Sequence, residues 1–179
     1  MNKSQIRKKI LKIRKKNFDK KFKINSGKLI TYLETNISNL KNIGGYYPSN
    51  YEIDDLEILE LLEKKKFNIS LPIIKKDNQM NFFKWSNNEP LKINKFGIPE
   101  PVSTKIFYPD ILLIPLVAFD SNLNRLGYGG GFYDRYIQKI EKIKKIIKIG
   151  LAFSFQKTSS LPIDEYDKRL DFIITEKEF

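Results

Sequence analysis

The sequence predicts an α/β protein built on a sheet with parallel pairing, and three observations carry that expectation. Stretches with apolar residues at helical spacing alternate with short apolar, β-branched runs along the 179 residues. One such run, at 110–115, is continuously apolar after its first residue, as a strand covered on both faces should be. Hydrophobic residues make up 41% of the chain against 30% charged, enough to build a core. The length fits one domain over residues 1–179.

The elements follow in order. Ile6, Ile10, Ile13 and Asn17/Phe18 recur at helical spacing, which predicts an amphipathic first helix with Lys and Arg on its wet face. Asn25, Ser26 and Gly27 break it, and Ser26 is expected to cap a second helix that buries Ile30, Leu33 and Ile37. A short strand over 43–47 ends at Pro48, Ser49 and Asn50. Asp54 is the expected N-cap of a helix running through Lys66, with Glu57 completing a capping box. Strands are expected at 68–74 and 80–85. Residues 86–109, with Pro90, Gly97, Pro99, Pro101 and Pro109, read as a loop that serves as lid, binding loop or linker. After the buried strand at 110–115 come a glycine turn at 127–131, a helix over 132–142 and strands at 146–153 and 171–175. No internal repeat is visible.

Composition removes whole classes of chemistry. The chain has no Cys and no His, so disulfides, thiolate or imidazole metal sites, cysteine nucleophiles and Ser-His-Asp catalysis are all excluded. Acid-base or metal work falls to Asp, Glu, Lys, Tyr and backbone groups, and a hard ion such as Mg²⁺ fits that inventory. The net charge of +12 is concentrated: residues 1–28 hold twelve Lys/Arg against one Asp, leaving +1 for the remaining 151. Only five of the 33 basic residues are Arg, so each Arg is worth inspecting for a need for its planar fork. The basic start is not followed by a continuous apolar segment, so no secretory signal is expected. The longest apolar run, 111–119, is nine residues with Pro115 inside it, too short to span a bilayer. Cytoplasmic location and no membrane partner are the expectation.

The chemistry concentrates in Pro115-Leu-Val-Ala-Phe-Asp120 and, after four residues, Arg125-Leu-Gly-Tyr-Gly-Gly-Gly-Phe-Tyr-Asp-Arg-Tyr136. A buried strand leads through a loop to a glycine turn and a helix. Glycines at 127, 129, 130 and 131 let backbone N–H groups approach an anion, and the helix aims its N-terminus at the same place. Phosphate is the natural ligand, with Arg125 as a forked donor and Asp134 in the first helical turn able to hold Mg²⁺. Four glycines alone read equally well as a hairpin or helix cap with no ligand. The spacing matches neither a P-loop nor a dinucleotide fingerprint.

The longer string resembles the signature of the 5-formyltetrahydrofolate cyclo-ligase family, also called methenyltetrahydrofolate synthetase. The resemblance covers essentially the whole chain. Lys3-Ser-Gln-Ile-Arg7, with Arg14 behind it, is similar to the family's basic first helix. Tyr47 with Glu52 resembles its folate-contacting strand and loop, and Phe96-Gly-Ile-Pro-Glu-Pro101 its Pro-rich substrate loop. Leu161-Pro-Ile-Asp-Glu-Tyr-Asp167 and Asp171-Phe-Ile-Ile-Thr175 resemble its C-terminal segment. Two departures stand out: Leu116 where the family usually has Gly, and Tyr166 where His is common.

The resemblance implies a three-layer α/β/α fold with a mostly parallel sheet, similar to the ribose-phosphate isomerase and CoA-transferase group. It implies ATP-dependent cyclisation of 5-formyltetrahydrofolate to 5,10-methenyltetrahydrofolate, with ADP and phosphate released, through a phosphorylated formyl group. Such a reaction needs no protein nucleophile and rests on positioning and charge neutralisation. By resemblance, ATP meets Lys3, Arg7, Arg125, Leu126, Gly127, Tyr128, Gly129, Gly130, Gly131, Phe132 and Tyr133. Arg7, Tyr47 and Glu52 meet the folate, and Phe96 and Trp85 are candidates to wall its pocket. Asp134 and Asp167 hold Mg²⁺, with Arg125 and Asp134 the catalytic pair. The remaining lysines of the first helix attract anions, a polyglutamylated folate tail among them.

Two other readings compete. A basic nucleic-acid-binding protein would account for the +11 start, but no recognition module is visible and aromatics enter that segment only at Phe18 and Phe22. A paralogue could keep the ATP site and act on another substrate or none.

Overall fold

The computed structural model describes residues 1–18, 23–36 and 39–177. Four α-helices and eleven strands appear among them, in the order α1 (Lys3–Asn17), α2 (Ser26–Asn36), β1 (Asn42–Gly44), α3 (Leu56–Lys64), β2 (Asn68–Ile74), β3 (Met80–Lys84), β4 (Leu91–Ile93), β5 (Pro99–Pro101), β6 (Ile106–Phe107), β7 (Ile111–Pro115), β8 (Ala118–Phe119), β9 (Arg125–Leu126), α4 (Phe132–Ile140), β10 (Ile147–Leu151) and β11 (Phe172–Ile174).

Seven strands make the central sheet in the order β11-β10-β7-β1-β2-β3-β6. The first five run parallel, while β3 is antiparallel to β2 and β6 antiparallel to β3. β7 shows how the sheet is covered. Its Ile111 and Leu113 enter a core with Leu29 and Leu33 of α2 and Leu59 and Leu62 of α3. Its Leu112 and Ile114 enter a second core with Tyr136, Ile137 and Ile140 of α4. Period-two alternation thus feeds two apolar faces, which is why the run reads as unbroken hydrophobicity and why helices form a layer on each side. The family-derived expectation of an α/β/α arrangement on a mostly parallel sheet is met.

The order also fixes where a ligand can sit. The chain begins in the middle at β1, builds outward through β2, β3 and β6, then returns to the other side of β1 with β7, β10 and β11. The reversal lies between β1 and β7, and open α/β sheets bind ligands beyond the carboxyl ends of strands at such a switch point. Residues 45–55 leave the end of β1, and the β8–β9 hairpin leaves the end of β7. Helix α1 closes over that hairpin, packing Ile6 and Ile10 against Val117, Ala118, Leu126 and Leu161.

Several local expectations are revised. The cap of α2 is Asn25 and not Ser26: the Asn25 Oδ1 accepts the Lys28 N–H at 3.0 Å, so the helix starts one residue earlier than a Ser26 cap would allow. Ile30 and Leu33 are buried as expected, while Ile37 and Phe22 lie outside the described residues. The helix expected from Asp54 starts at Leu56, with Asp55 at the N-cap position but making no side-chain cap bond. Tyr46 draws the Asp55 carboxylate inward by donating its N–H at 3.1 Å, and Glu57 pairs with Lys23 outside instead of closing a capping box.

The 86–109 segment holds three short strands. Pro99 and Pro101 sit on a two-stranded ribbon opposite Ile93 and Leu91, where a missing N–H is tolerated. The β8–β9 hairpin, read as loop from sequence, is organised by Asp120, whose carboxylate accepts the N–H groups of Asn122 and Asn124 at 2.9 and 3.1 Å. Among the described residues no helix is long and apolar enough to cross a membrane.

Leu113 is fully enclosed at the heart of the parallel strands. Leu113→Ala is expected to lower unfolding stability by ~2–5 kcal/mol, seen as a reduced urea midpoint with unchanged slope.

Candidate active site

The glycine turn is built by conformation and by a neighbour. Gly129 has φ +102°, and a Cβ there would stand 3.3 Å from the Arg7 guanidinium carbon. Gly131, the N-cap of α4, has φ +64°, a left-handed setting without side-chain capping. Arg7 donates from Nε to the Gly127 carbonyl at 2.7 Å, so the turn and α1 hold one another. Arg135 braces the far side by donating to the Gly130 carbonyl.

Helix α1 brings three cations to this end of the sheet. Lys3 donates to Asp164 at 2.6 Å and to Asp167 at 2.5 Å. Burial draws the Lys3 ammonium down, but the two carboxylates outweigh it and hold it above its ordinary value. Arg7 lies one turn further along. Arg14, placed on the wet face by the sequence reading, is in fact 1% exposed and donates to the Leu116 carbonyl at 3.2 Å and to the Tyr128 hydroxyl. The signal for it was present: Arg14 continues the Ile6, Ile10 stripe at steps of four, on the buried face.

Arg125 does not present an open fork. It is buried, with Nη2 donating to the Asp134 Oδ1 at 2.6 Å, its guanidinium 5.9 Å from the centre of the Tyr133 ring and its Nε without a partner. Asp134 also accepts the Lys168 N–H at 3.1 Å. Arg125 feels the charges of both Asp134 and Asp167, which places the two expected metal carboxylates around one cation. Among the described residues no group of three or more His, Cys, Asp or Glu converges. Two carboxylates are what a nucleotide-bound magnesium ion needs from a protein, since phosphates and water complete its shell. Here each carboxylate already faces a cation, Arg125 or Lys3.

Beyond the turn lies an acidic pocket. Glu52 is buried and accepts from the Ser49 N–H at 2.7 Å and the Ser49 hydroxyl at 3.2 Å. Burial raises its pKa, the Ser49 N–H, Tyr128 and Arg14 oppose that, and the balance stays above the ordinary carboxylate value. Asp55, wholly buried, is pushed well above its ordinary value by desolvation, and its Oδ1 has no partner. Sequence reasoning missed it, because nothing local distinguishes Asp55 from Asp54.

Tyr133 is half-buried, with an enclosed and unpartnered hydroxyl, and is raised by desolvation and by Asp55 and Glu52. Tyr47 is half-buried at the exit from β1, and its neighbour Tyr46 is in the core, donating its hydroxyl to the Ile53 carbonyl. Trp85 belongs to the core. Phe96 is exposed and meets Phe132 edge-on at 6.2 Å, bringing the Pro-rich loop against the start of α4. A surface groove lined by Ile6, Ile10, Phe155 and Leu161 between α1 and residues 155–162 contains none of the candidate residues.

A glycine turn, helix-borne cations and a buried acidic pocket lie together at the switch point of a mostly parallel sheet, which defines an α/β protein with a cation-lined candidate site. Comparison supplies the family. The model of the 5-formyltetrahydrofolate cyclo-ligase family matches residues 1–176. A 5-formyltetrahydrofolate cyclo-ligase of Haemophilus influenzae is 37% identical over 134 residues, 71% of each chain. One of Mycoplasma pneumoniae is 33% identical across 99% of this chain and 100% of its own.

Solved structures agree. A 5,10-methenyltetrahydrofolate synthetase from Mycoplasma pneumoniae superposes with a TM-score of 0.74 at 30% identity, covering 98% of this chain and 99% of that one. That of Aquifex aeolicus gives 0.78 at 33% identity, covering 99% and 91%. The chain belongs to the 5-formyltetrahydrofolate cyclo-ligase family and is a ligase.

The raised Asp55 acid yields a pH prediction. Its folded pKa lies above its unfolded value, so its contribution to stability is whole below the ordinary carboxylate range and is lost as pH rises toward the folded value. Asp55→Asn keeps an acceptor for Tyr46 and cannot ionise. It is expected to lose less stability than wild type between about pH 5 and pH 8 in urea unfolding; parallel profiles would contradict this.

Proposed function

We propose that this chain, acting as one domain over residues 1–179 in the cytoplasm, cyclises 5-formyltetrahydrofolate to 5,10-methenyltetrahydrofolate at the expense of ATP. The observation that carries the site reading is the mutual grip of Arg7 and the glycine turn, which sets a cation and open backbone side by side at the switch point. Family membership supplies the folate.

In this reading the formyl oxygen attacks the γ-phosphorus. The new O–P bond forms as the bond to the β-phosphate oxygen breaks, and ADP leaves. The N10 lone pair then attacks the activated formyl carbon, N10 gives up its proton, and the C–O bond breaks with phosphate taking the electron pair. The product is the cationic methenyl bridge between N5 and N10. Each step moves charge among phosphate oxygens, so the chain's part is neutralisation and alignment.

Lys3 and Arg7 bind phosphates from α1, and residues 125–133 cradle them from the turn. Arg125 orients Asp134, which with Asp167 would hold Mg²⁺. When bound, the ion neutralises phosphate charge. As MgATP enters, Lys3 can exchange its two carboxylates for phosphate oxygens. Glu52 accepts hydrogen bonds from the pterin, Tyr47 lines its edge, and Phe96 covers it with the Pro-rich loop. The exposed lysines of α1 attract a polyglutamate tail. Leu116, the family's usual Gly, is accommodated inside: it is 1% exposed and lies where a side chain at Gly150 would collide with it.

The test follows methenyl product absorbance with purified protein, ATP, Mg²⁺ and 5-formyltetrahydrofolate. Turnover is expected, and chelating the metal should abolish it; no product under these conditions would defeat the proposal. Asp134→Asn should lower turnover by about 100-fold or more with an unchanged circular dichroism spectrum. Arg125→Lys should also fall, since an ammonium cannot replace the planar fork. Wild-type rates in Asp134→Asn would remove that residue from the metal role.

A further inference from the structure

Two of the five arginines donate to carbonyls of the same glycine turn. Arg7 takes the Gly127 carbonyl from α1 and already belongs to the site. Arg135 has no role in it so far. It stands near the N-terminus of α4, where the helix dipole disfavours a cation. Among the described residues its side chain meets two carbonyls and no carboxylate: Nη2 donates to Gly130, and Nε donates to Asn78 at 3.1 Å.

Asn78 is a firm anchor. It lies in the connection between β2 and β3 at φ +53°, after Asp77 at +55°. That connection is closed by the Lys75 N–H, which donates to the Gln79 carbonyl at 2.7 Å, and the strands pair directly from Ile74 and Met80 onward. Arg135 thus ties one peptide of the turn to the central sheet.

A trans peptide points its carbonyl and its N–H in opposite directions. Holding the Gly130 carbonyl therefore holds the Gly131 N–H facing away from the guanidinium. A linkage between two glycines turns more freely than any other, so this peptide needs such a hold. The fit is close: a Cβ at Gly131 would stand 2.9 Å from the Arg135 Nη1. The Gly131 N–H meets no acceptor among the described residues.

We propose that Arg135 is a positioning residue for nucleotide binding: it fixes the peptide between Gly130 and Gly131 to the β2–β3 connection, so that the Gly131 N–H is set for a phosphate oxygen before the nucleotide arrives. This rests on the reading of the turn as the ATP site. Arg7 fixes the peptide between Gly127 and Tyr128 in the same manner. A turn held at two carbonyls loses less freedom when it binds, which strengthens binding without a new contact. Two carbonyls on separate segments also call for a planar fork, which an ammonium lacks.

The test measures binding without turnover, by calorimetric titration of MgADP into the full-length protein. Arg135→Met is expected to weaken MgADP about tenfold, and Arg135→Lys about threefold. In ¹⁵N-labelled protein without nucleotide, the Gly131 amide order parameter should fall in Arg135→Met and recover with MgADP, while Gly44 and Gly150 in the sheet stay unchanged. The KM for ATP should rise about tenfold, with the KM for 5-formyltetrahydrofolate changed less. Should Arg135→Met fail to fold, Arg135→Lys keeps a cation on a flexible stem and carries the test. Wild-type MgADP affinity in the folded variant would overturn the proposal, as would an unmoved Gly131 order parameter or an equal rise in both KM values. A wild-type protein that binds no MgADP would defeat the reading of the turn as the ATP site, and this inference with it. One that binds MgADP and forms no product would defeat only the proposed reaction.

Discussion

The structure depends on α1 being held across the carboxyl ends of β1 and β7. That helix has too many lysines to stay packed by its apolar stripe alone, since Ile6 and Ile10 are its only buried hydrophobic residues. What pins it are three cations on one side. Lys3 reaches Asp164 and Asp167, Arg7 the carbonyl of Gly127, and Arg14 the carbonyl of Leu116 and the phenol of Tyr128. Every partner is more than a hundred residues away in sequence. The N-terminal helix and the C-terminal segment therefore close on each other, and the candidate site lies where they meet.

This arrangement separates the pocket into two electrostatic halves. On the side of the turn, cations outnumber what a phosphate-free pocket requires, and each waits on a weak or exchangeable partner: a carbonyl for Arg7, a partly exposed carboxylate pair for Lys3. On the other side, Glu52, Asp55, Tyr46 and Tyr133 crowd acidic groups into a desolvated volume; after burial itself, the charges of Asp55 and Glu52 raise both phenols, and Glu52 adds to the rise at Asp55. One half suits a polyanion, the other a ligand rich in hydrogen-bond donors. The boundary between them is Tyr128 and Arg125 with its Tyr133 contact, all within the glycine-rich string.

The legible parts of the sequence were those where local pattern and tertiary outcome coincide. The α1 helix, the buried β7 strand, β2 and α4 follow from period alone, because their apolar faces are the faces they bury. Lys3 and Arg7 could be placed side by side from a spacing of four. Short ribbons such as β4–β5 and β8–β9 could not, because two or three residues carry no period and Pro99 and Pro101 argue against a strand. Asp55 was hidden for a different reason: no local pattern marks it, and its burial is decided by Tyr46, whose N–H it accepts across the loop. Arg14 was in step with Ile6 and Ile10, but a cation there reads as surface until Leu116 and Tyr128 close on it from remote segments.

Leu116 shows how such remote packing absorbs a departure from the family pattern. A glycine at this position would leave a void beside β10. Here the leucine is buried among Ile114, Ala152 and Leu170, and the space is made by Gly150, where any side chain would meet Leu116 and Leu170 at under 3 Å. The carbonyl of Leu116 is still free to accept from Arg14 and, at 2.8 Å, from Gln156. The side chain has been turned into the core while the backbone keeps its polar face toward α1. A leucine that looks able to reshape the loop thus leaves the contacts anchoring the helix intact, because Gly150 on the facing strand leaves room for it.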